Sequence, residues 1–190
     1  MSYQLKSETL SYEYMLQAYR EIGNKQMVRQ LEAGPATMTI PLPASYMKVR
    51  DKAMHNLGVG SIREMRSVIT EVFLASWLCR EYTLSEKLAI WRGKFSSDKI
   101  LRDKMIAMDL TSAVPMADLP VYFLHGKYDY TVSYALARAF LDKLRAPIKG
   151  FYSFEQSAHS PMFEEPGKVR QIMQQDIPAG ANRLAERRNP

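Results

Sequence analysis

Two short apolar runs in this chain each lead into a turn with a residue that can orient or accept a proton. Residues 119–124 are followed by the segment HGKYD, which ends at Asp129, and residues 150–154 are followed by a loop that holds His159. A carboxylate can hold an imidazole in one tautomer and stabilise its protonated form, so that the imidazole acts as a general base. Taken singly, each residue also fits a structural role. As a pair, Asp129 and His159 are predicted to be the acid and the base that serve a nucleophile.

No serine in the sequence has the surroundings that such a nucleophile needs. A Gly-x-Ser-x-Gly elbow, which presents a serine on a sharp strand-to-helix turn, occurs nowhere before Asp129. Ser61 follows the segment GVG, but it has neither a preceding strand nor the second glycine, and it is predicted to cap a helix. Ser133 and Ser160 also fail the pattern. The sequence therefore predicts an acid and a base without a nucleophile or an oxyanion hole.

The other residues that could do chemistry are predicted to have structural roles. His125 is expected to support the turn before Asp129, and His55 is expected to be solvated on a charged helix. With three histidines and no ligand-spaced cluster of Cys or carboxylates, no metal site is predicted, and no cofactor is predicted either. The adjacent Glu164 and Glu165 cannot face each other and are interpreted as charges at a helix start. Cys79, in an apolar helical context, is expected to be a buried, inert thiol.

Length and composition limit the class of protein. The chain has 190 residues, which is enough for one globular domain with a core. Its composition, with 46% hydrophobic and 24% charged residues, is typical of globular proteins. No apolar run reaches the length of a membrane span, and the first residues do not resemble a signal peptide. A single cysteine fits a reducing compartment, so a cytoplasmic location is predicted. The net charge is +6, but the lysines and arginines are scattered along the chain and interleaved with acidic residues. A solvated surface is therefore favoured over nucleic-acid binding. The basic residues cluster locally only in the tail, at Arg183, Arg187 and Arg188.

Helices are predicted for residues 1–112. Glycines and caps divide this region into helices over 11–22, 24–33 and 44–57, with a proline-containing connector over 34–45. Capping boxes are predicted at Ser61 with Glu64 and at Thr83 with Glu86. The methionines of this region are interpreted as flexible core filler, with an adaptable lining of an apolar substrate pocket as the alternative. Five of them are Met15, Met27, Met47, Met54 and Met65.

The pattern becomes strand–helix–strand–helix over residues 113–178, and a polar tail follows over 179–190. Strands are predicted at 121–124 and 150–154, with helices at 133–144 and 166–177. Short, continuously apolar strands are typical of a parallel sheet, so the fold class is α/β. The carboxyl ends of parallel strands meet at one edge, which would bring Asp129 and His159 together. Because a two-stranded sheet has unpaired edges, it is expected to be completed by another chain or by a second copy.

Residues 121–175 resemble the C-terminal end of an α/β-hydrolase of the proline-iminopeptidase-like type. The motifs LHGKYD at 124–129, AP at 146–147 and SAHSPMFEEP at 157–166 carry this resemblance. The preceding residues, with GN at 23–24 and YT at 82–83, are similar to the helical cap that such enzymes insert before this end. The resemblance implies that 1–112 is the cap and that 113–178 holds the last two parallel strands and flanking helices of an incomplete hydrolase core. It also implies that Asp129 is the triad acid and His159 the general base.

The function predicted from these features is that of the C-terminal part of a serine hydrolase, inactive alone. Its partner would be the missing N-terminal half or a second copy, and its substrate, once the enzyme is complete, a small molecule or a peptide. Proline iminopeptidase, amide hydrolase and esterase activities all remain open. The alternative is a non-catalytic module for self-association or partner binding. Neither a nucleic acid nor a membrane is predicted as a partner.

Overall fold

The computed structural model describes residues 2–187, apart from the side chains of residues 95 and 98–100. Arg188 of the predicted basic cluster and the end of the predicted polar tail lie outside the described residues. The chain is mostly helical, with a small parallel sheet near its C-terminus, which makes it a mixed α/β structure. The elements are α1 (Tyr3–Glu21), α2 (Lys25–Glu32), α3 (Ala44–Asn56), a π-helical turn (Ile69–Phe73), α4 (Leu74–Leu78), α5 (Leu84–Ala107), α6 (Leu110–Ala113), β1 (Val121–Gly126), α7 (Tyr134–Lys143), β2 (Lys149–Phe154), α8 (Pro161–Glu164) and α9 (Pro166–Gln175).

Helices α1, α2 and α3 enclose the main core. The side chains of α1 that recur every three or four residues point inward, and they include Tyr12, Met15 and Tyr19. Helix α2 is capped by Asn24, whose side chain accepts a hydrogen bond from the Met27 amide. The predicted helices of this region are confirmed, although α1 begins at Tyr3 and not near residue 11. Three of the five named methionines, Met15, Met27 and Met54, are buried in this core as filler, and Met65 is buried without being part of it.

The segment 66–105 forms a helical hairpin outside this core. No described side chain in it is buried. Its two arms touch through Phe73, whose ring lies 4.8 Å from that of Trp91 between centroids, and through the Trp91 indole, which donates to Ser76 Oγ. The predicted capping box of Thr83 and Glu86 starts α5.

The capping box predicted for Ser61 and Glu64 is wrong, and no helix starts there. The polar groups that the cap would use have other partners. The Ser61 amide and hydroxyl bind the ring of His55, and the Arg63 amide donates to the carboxylate of Glu164. These contacts hold residues 61–64 in bends and turns, and the next helical element is the one at Ile69–Phe73.

Strands β1 and β2 pair in parallel, with Val121 opposite Lys149 and Gly126 opposite Phe154. The predicted strands and the helices that follow them are confirmed, with α7 capped by the Ser133 side chain and α9 opening on Pro166. Phe123 and Phe151 face α7, while Tyr152 and Ile172 pack on the opposite face of the sheet. Within the described residues the sheet has no third strand, and the outer edge of β1 is left without a strand partner. On the outer edge of β2, the carbonyls of Lys149, Phe151 and Ser153 accept hydrogen bonds from Asn182, Glu186 and Lys168.

Helix α1 also contacts the loop that follows β1. Ser7 Oγ accepts a hydrogen bond of 2.7 Å from the Ser133 amide, and Ser11 Oγ donates to the Tyr130 carbonyl. The rings of Tyr14 and Tyr130 stack with centroids 3.8 Å apart. The main helical core therefore supports the turn that carries Asp129.

None of the helices in the described residues is both long enough and apolar enough to span a bilayer.

Candidate acid–base site

The turns after β1 and β2 meet at the carboxyl edge of the sheet because Gly126 allows them to touch. A Cβ atom at Gly126 would lie 2.0 Å from the Ala158 carbonyl oxygen and 2.2 Å from that of Ser157. Any side chain there would push the two loops apart. The approach is held by the Tyr128 amide, which donates to the Ser157 carbonyl at 3.0 Å. A glycine just before the acid turn is thus a requirement of the contact between the two loops.

This approach brings Asp129 and His159 into a hydrogen bond. The distance from His159 Nδ1 to Asp129 Oδ2 is 2.9 Å. The other carboxylate oxygen, Oδ1, accepts from the amides of Thr131 at 2.8 Å and Val132 at 3.0 Å. The Asp129 side chain is 3% exposed and that of His159 is 44% exposed. The carboxylate is therefore fixed in the protein, while the imidazole it holds faces solvent and a cavity.

The Asp129 carboxylate raises the pKa of His159 above its ordinary value, first through the hydrogen bond and then through its charge. Partial burial of the ring and the positive charge of Arg50 act against this rise. Since Nδ1 is bound to Asp129, the nitrogen that can take a proton from a reacting group is Nε2. A general base needs this orientation, with one ring nitrogen held by a carboxylate and the other able to accept a proton.

Glu164 and Glu165 bind the loop that carries His159, a role that the sequence interpretation missed. Glu164 accepts from the Ala158 amide at 2.8 Å, and Glu165 accepts from the Gln156 amide at 3.0 Å and from Ser157 Oγ at 2.6 Å. The signal for this role was their spacing, since two carboxylates directly after a loop of small residues can reach back to its free amides.

His125 lies beneath the acid turn. Its ring is buried against Phe151 and Tyr134, and its Nε2 atom lies 3.8 Å from Asp129 Oδ2. Its Nδ1 atom is 3.1 Å from the Gly126 carbonyl oxygen. The position is the one expected for a residue that supports this turn.

Two predictions about exposure are wrong. His55 is buried and not solvated, because the chain after α3 folds back over its ring and binds it through Ser61. Cys79 is partly exposed and not buried, because the hairpin that carries it has no core to enter. Its thiol donates to Glu81 Oε2 at 2.9 Å.

A cavity of about 1030 Å³ lies between the helical region and the open edge of β1. His159 and His125 line it, together with the buried Glu8 and Arg50. Arg50 donates to Glu8 at 2.6 Å and 2.8 Å, so the two charges largely satisfy each other. Most of the remaining wall is apolar, and it includes Met47, Leu101, Met105, Met108, Leu136 and Phe140. Met47 lines this cavity and also packs, partly buried, against the main core.

One curated protein with a similar sequence is the probable aminopeptidase YbaC of Bacillus subtilis (strain 168), which is 33% identical over 86 residues. The match covers 45% of this chain and 27% of that protein, so the chain spans about a quarter of the relative's length. This chain is similar to a peptidase-like hydrolase. No family model matches the chain. No solved structure matches it.

Among the described residues, no serine hydroxyl forms a hydrogen bond with His159. Ser133 Oγ caps α7 and Ser61 Oγ contacts His55, so both are used structurally. No group of three or more His, Cys, Asp or Glu side chains in the part of the chain described here could hold a metal ion. The pair of Asp129 and His159 has the geometry to take and return a proton at Nε2 of His159.

Proposed function

We propose that this chain carries the acid and the general base of a serine hydrolase of the peptidase or esterase type. Asp129 is the acid and His159 the base. The observation that carries the proposal is the 2.9 Å bond between them, held by a buried carboxylate whose second oxygen is fixed by two backbone amides. The similarity to a probable aminopeptidase supports the same class of chemistry.

In the proposed reaction, a serine hydroxyl from a segment outside residues 2–187 lies against Nε2 of His159. The imidazole takes the hydroxyl proton as the oxygen attacks an acyl carbon, and Asp129 stabilises the imidazolium that forms. The same proton then passes to the leaving amine or alcohol. Water repeats the sequence on the acyl-enzyme, with His159 again as base. On its own, the chain is expected to be inactive.

The proposed docking place of the nucleophile-bearing segment is the open edge of β1. The cavity follows this edge, since successive β1 residues from Tyr122 to His125 line it and none from β2 does. An unpaired strand edge presents amides and carbonyls that a further parallel strand would satisfy. In this proposal residues 1–112 are the cap and 113–178 the end of an incomplete α/β-hydrolase core. The partner is the missing N-terminal half, and the apolar cavity walls would become part of a pocket for a peptide or small-molecule substrate.

The test is to supply this chain with the part of YbaC that lies outside its 86 matched residues, as a separate polypeptide and as a fusion. The expected result is hydrolysis of aminoacyl arylamides or activated esters by the combination and none by this chain alone. His159→Ala and Asp129→Asn should both abolish the turnover. Stoichiometric labelling of the chain alone by a fluorophosphonate, dependent on His159, would show that it holds its own activated serine and would contradict the proposal.

A second candidate function is non-catalytic self-association. The exposed apolar side chains of the hairpin favour it, among them Ile69, Leu78 and Leu84. It predicts a stable oligomer in sedimentation velocity experiments. A monomer that persists at every concentration would count against this second function and would leave the hydrolase proposal unchanged.

A further inference from the structure

A short loop of the helical region binds both turns of the acid–base site. We call residues 58–63, which follow α3, the clamp loop. The Tyr130 amide donates to the Val59 carbonyl at 3.2 Å, and the His159 amide donates to the Gly60 carbonyl at 3.2 Å. Two successive carbonyls of the clamp loop therefore hold the residue after the acid and the base itself.

The far end of the clamp loop makes a second pair of links to the same two turns. The Arg63 amide donates to Glu164 Oε1 at 2.7 Å, and Glu164 Oε2 accepts from the Ala158 amide, directly before the base. The Arg63 guanidinium lies 3.8 Å from the centre of the Tyr128 ring, directly before the acid. The clamp loop thus contacts the residues on either side of Asp129, and it reaches the residue before His159 through Glu164.

His55, in the last turn of α3, holds the clamp loop in place. Its Nδ1 atom is 2.7 Å from the Asp51 carbonyl oxygen, and because a carbonyl can only accept, Nδ1 carries the proton and Nε2 is an acceptor. The Ser61 amide donates to that Nε2 at 3.3 Å. A Cβ atom at Gly60 would lie 2.7 Å from Cδ2 of the ring, so only glycine allows this contact.

We propose that His55 is a positioning residue for the acid–base pair. It fixes the clamp loop through Ser61, and the carbonyls of the clamp loop fix the backbone from which His159 reaches Asp129. The imidazole of His159 needs this support because it is 44% exposed and its hydrogen bond to Asp129 is a single contact at Nδ1. The catalytic meaning of this role rests on the proposed function, whereas the structural link between His55 and His159 can be tested on its own.

The test compares two substitutions of His55 in the full chain. In His55→Asn the side-chain amide can still donate to the Asp51 carbonyl but does not reach the Ser61 amide. In His55→Gln the longer side chain can present an oxygen to that amide. The asparagine variant should therefore release the clamp loop, and the glutamine variant should restore it. Leu31→Val is the matched control, because Leu31 is fully buried in the same helical core and forms no hydrogen bond with the clamp loop.

Amide hydrogen exchange and an NMR titration of His159 measure the effect of these substitutions. Hydrogen exchange of the Tyr130 and His159 amides should be faster by at least about tenfold in His55→Asn, near wild type in His55→Gln and unchanged relative to other core amides in Leu31→Val. By NMR, His55→Asn should weaken the downfield Nδ1 proton signal of His159 and move its pKa back toward the ordinary value. The charged groups that act on this titration are Asp129 and Arg50, which none of the variants changes.

Wild-type exchange and an unchanged His159 titration in a folded His55→Asn variant would overturn the proposal, as would equal changes in Leu31→Val. If His55→Asn does not fold, Gly60→Ala decides by the same two readouts, because its Cβ atom presses on the ring of His55. A wild-type His159 pKa that does not respond to Asp129→Asn would instead contradict the proposed function. In that case the amide exchange would still decide whether His55 holds the base loop.

Discussion

The helical half of this chain contains two regions that differ in what their apolar side chains touch. In residues 2–65, side chains such as Leu31 and Tyr46 are completely buried. In residues 66–105, none of the described side chains is buried, and Leu78 is 76% exposed. Both regions contain helices rich in leucine and aromatic residues. Burial here therefore depends on the partners that a helix meets and not on its own apolar content.

The packed region is the one that contacts the acid–base site. Its helix α1 and its clamp loop bind the turns of Asp129 and His159, and its Arg50 shifts the pKa of the base. The hairpin makes none of these hydrogen bonds. The rigidity of the site is therefore expected to follow the stability of the packed region and to be insensitive to changes in the hairpin.

The largest expected effect is on the buried ion pair of the packed region. Glu8→Gln leaves the guanidinium of Arg50 buried with less compensating charge, and it should lower the free energy of unfolding by about 3–5 kcal/mol. The control is Glu32→Gln at the exposed pair of Arg20 and Glu32, which should cost less than about 1 kcal/mol. Urea unfolding measures both. Equal costs would mean that the packed region is no more closed to water than its surface.

Core truncation should separate the two regions almost as strongly. Leu31→Ala should lower the free energy of unfolding by about 2–5 kcal/mol, since it removes a fully buried side chain and leaves a cavity. Leu78→Ala should change it by less than about 0.5 kcal/mol, because the leucine is exposed. Both values come from the same unfolding curves. A large cost for Leu78→Ala would indicate that the hairpin packs against something in solution, such as a second copy of the chain.

The smallest expected effect is the pH dependence that His159 contributes. Because its pKa is raised in the folded chain, the folded state binds the proton more tightly than the unfolded chain does. The stabilisation is fully present below the pKa of the unfolded chain and is lost as the pH rises through the folded-state pKa. The ring is 44% exposed, so solvent screening should keep the effect below about 1 kcal/mol.

Thermal unfolding of wild type and His159→Gln between about pH 5 and pH 9 measures this contribution. The difference in unfolding temperature between wild type and His159→Gln should become smaller as the pH rises. A gap that widens toward high pH would mean that the folded chain prefers neutral His159.

The features that were predicted correctly depend on the spacing of residues close together in the chain and on strand geometry. The acid and the base meet because parallel strands end at one edge and Gly126 lets their turns touch. The box at Thr83 forms because all its partners lie within four residues. The box at Ser61 fails because Ser61 binds the ring of His55, six residues earlier, and because the Arg63 amide donates to the distant Glu164. The same return of the chain over the ring buries His55, and a capping pattern encodes neither contact.

An NMR titration of the His159 ring in the full chain tests whether Asp129 holds His159 in the way proposed for a general base. The expected pKa of His159 is above the ordinary histidine value in wild type and lower in Asp129→Asn, because the hydrogen bond that raises it loses its charged acceptor. The same pKa in both proteins, in a variant that remains folded, would contradict it.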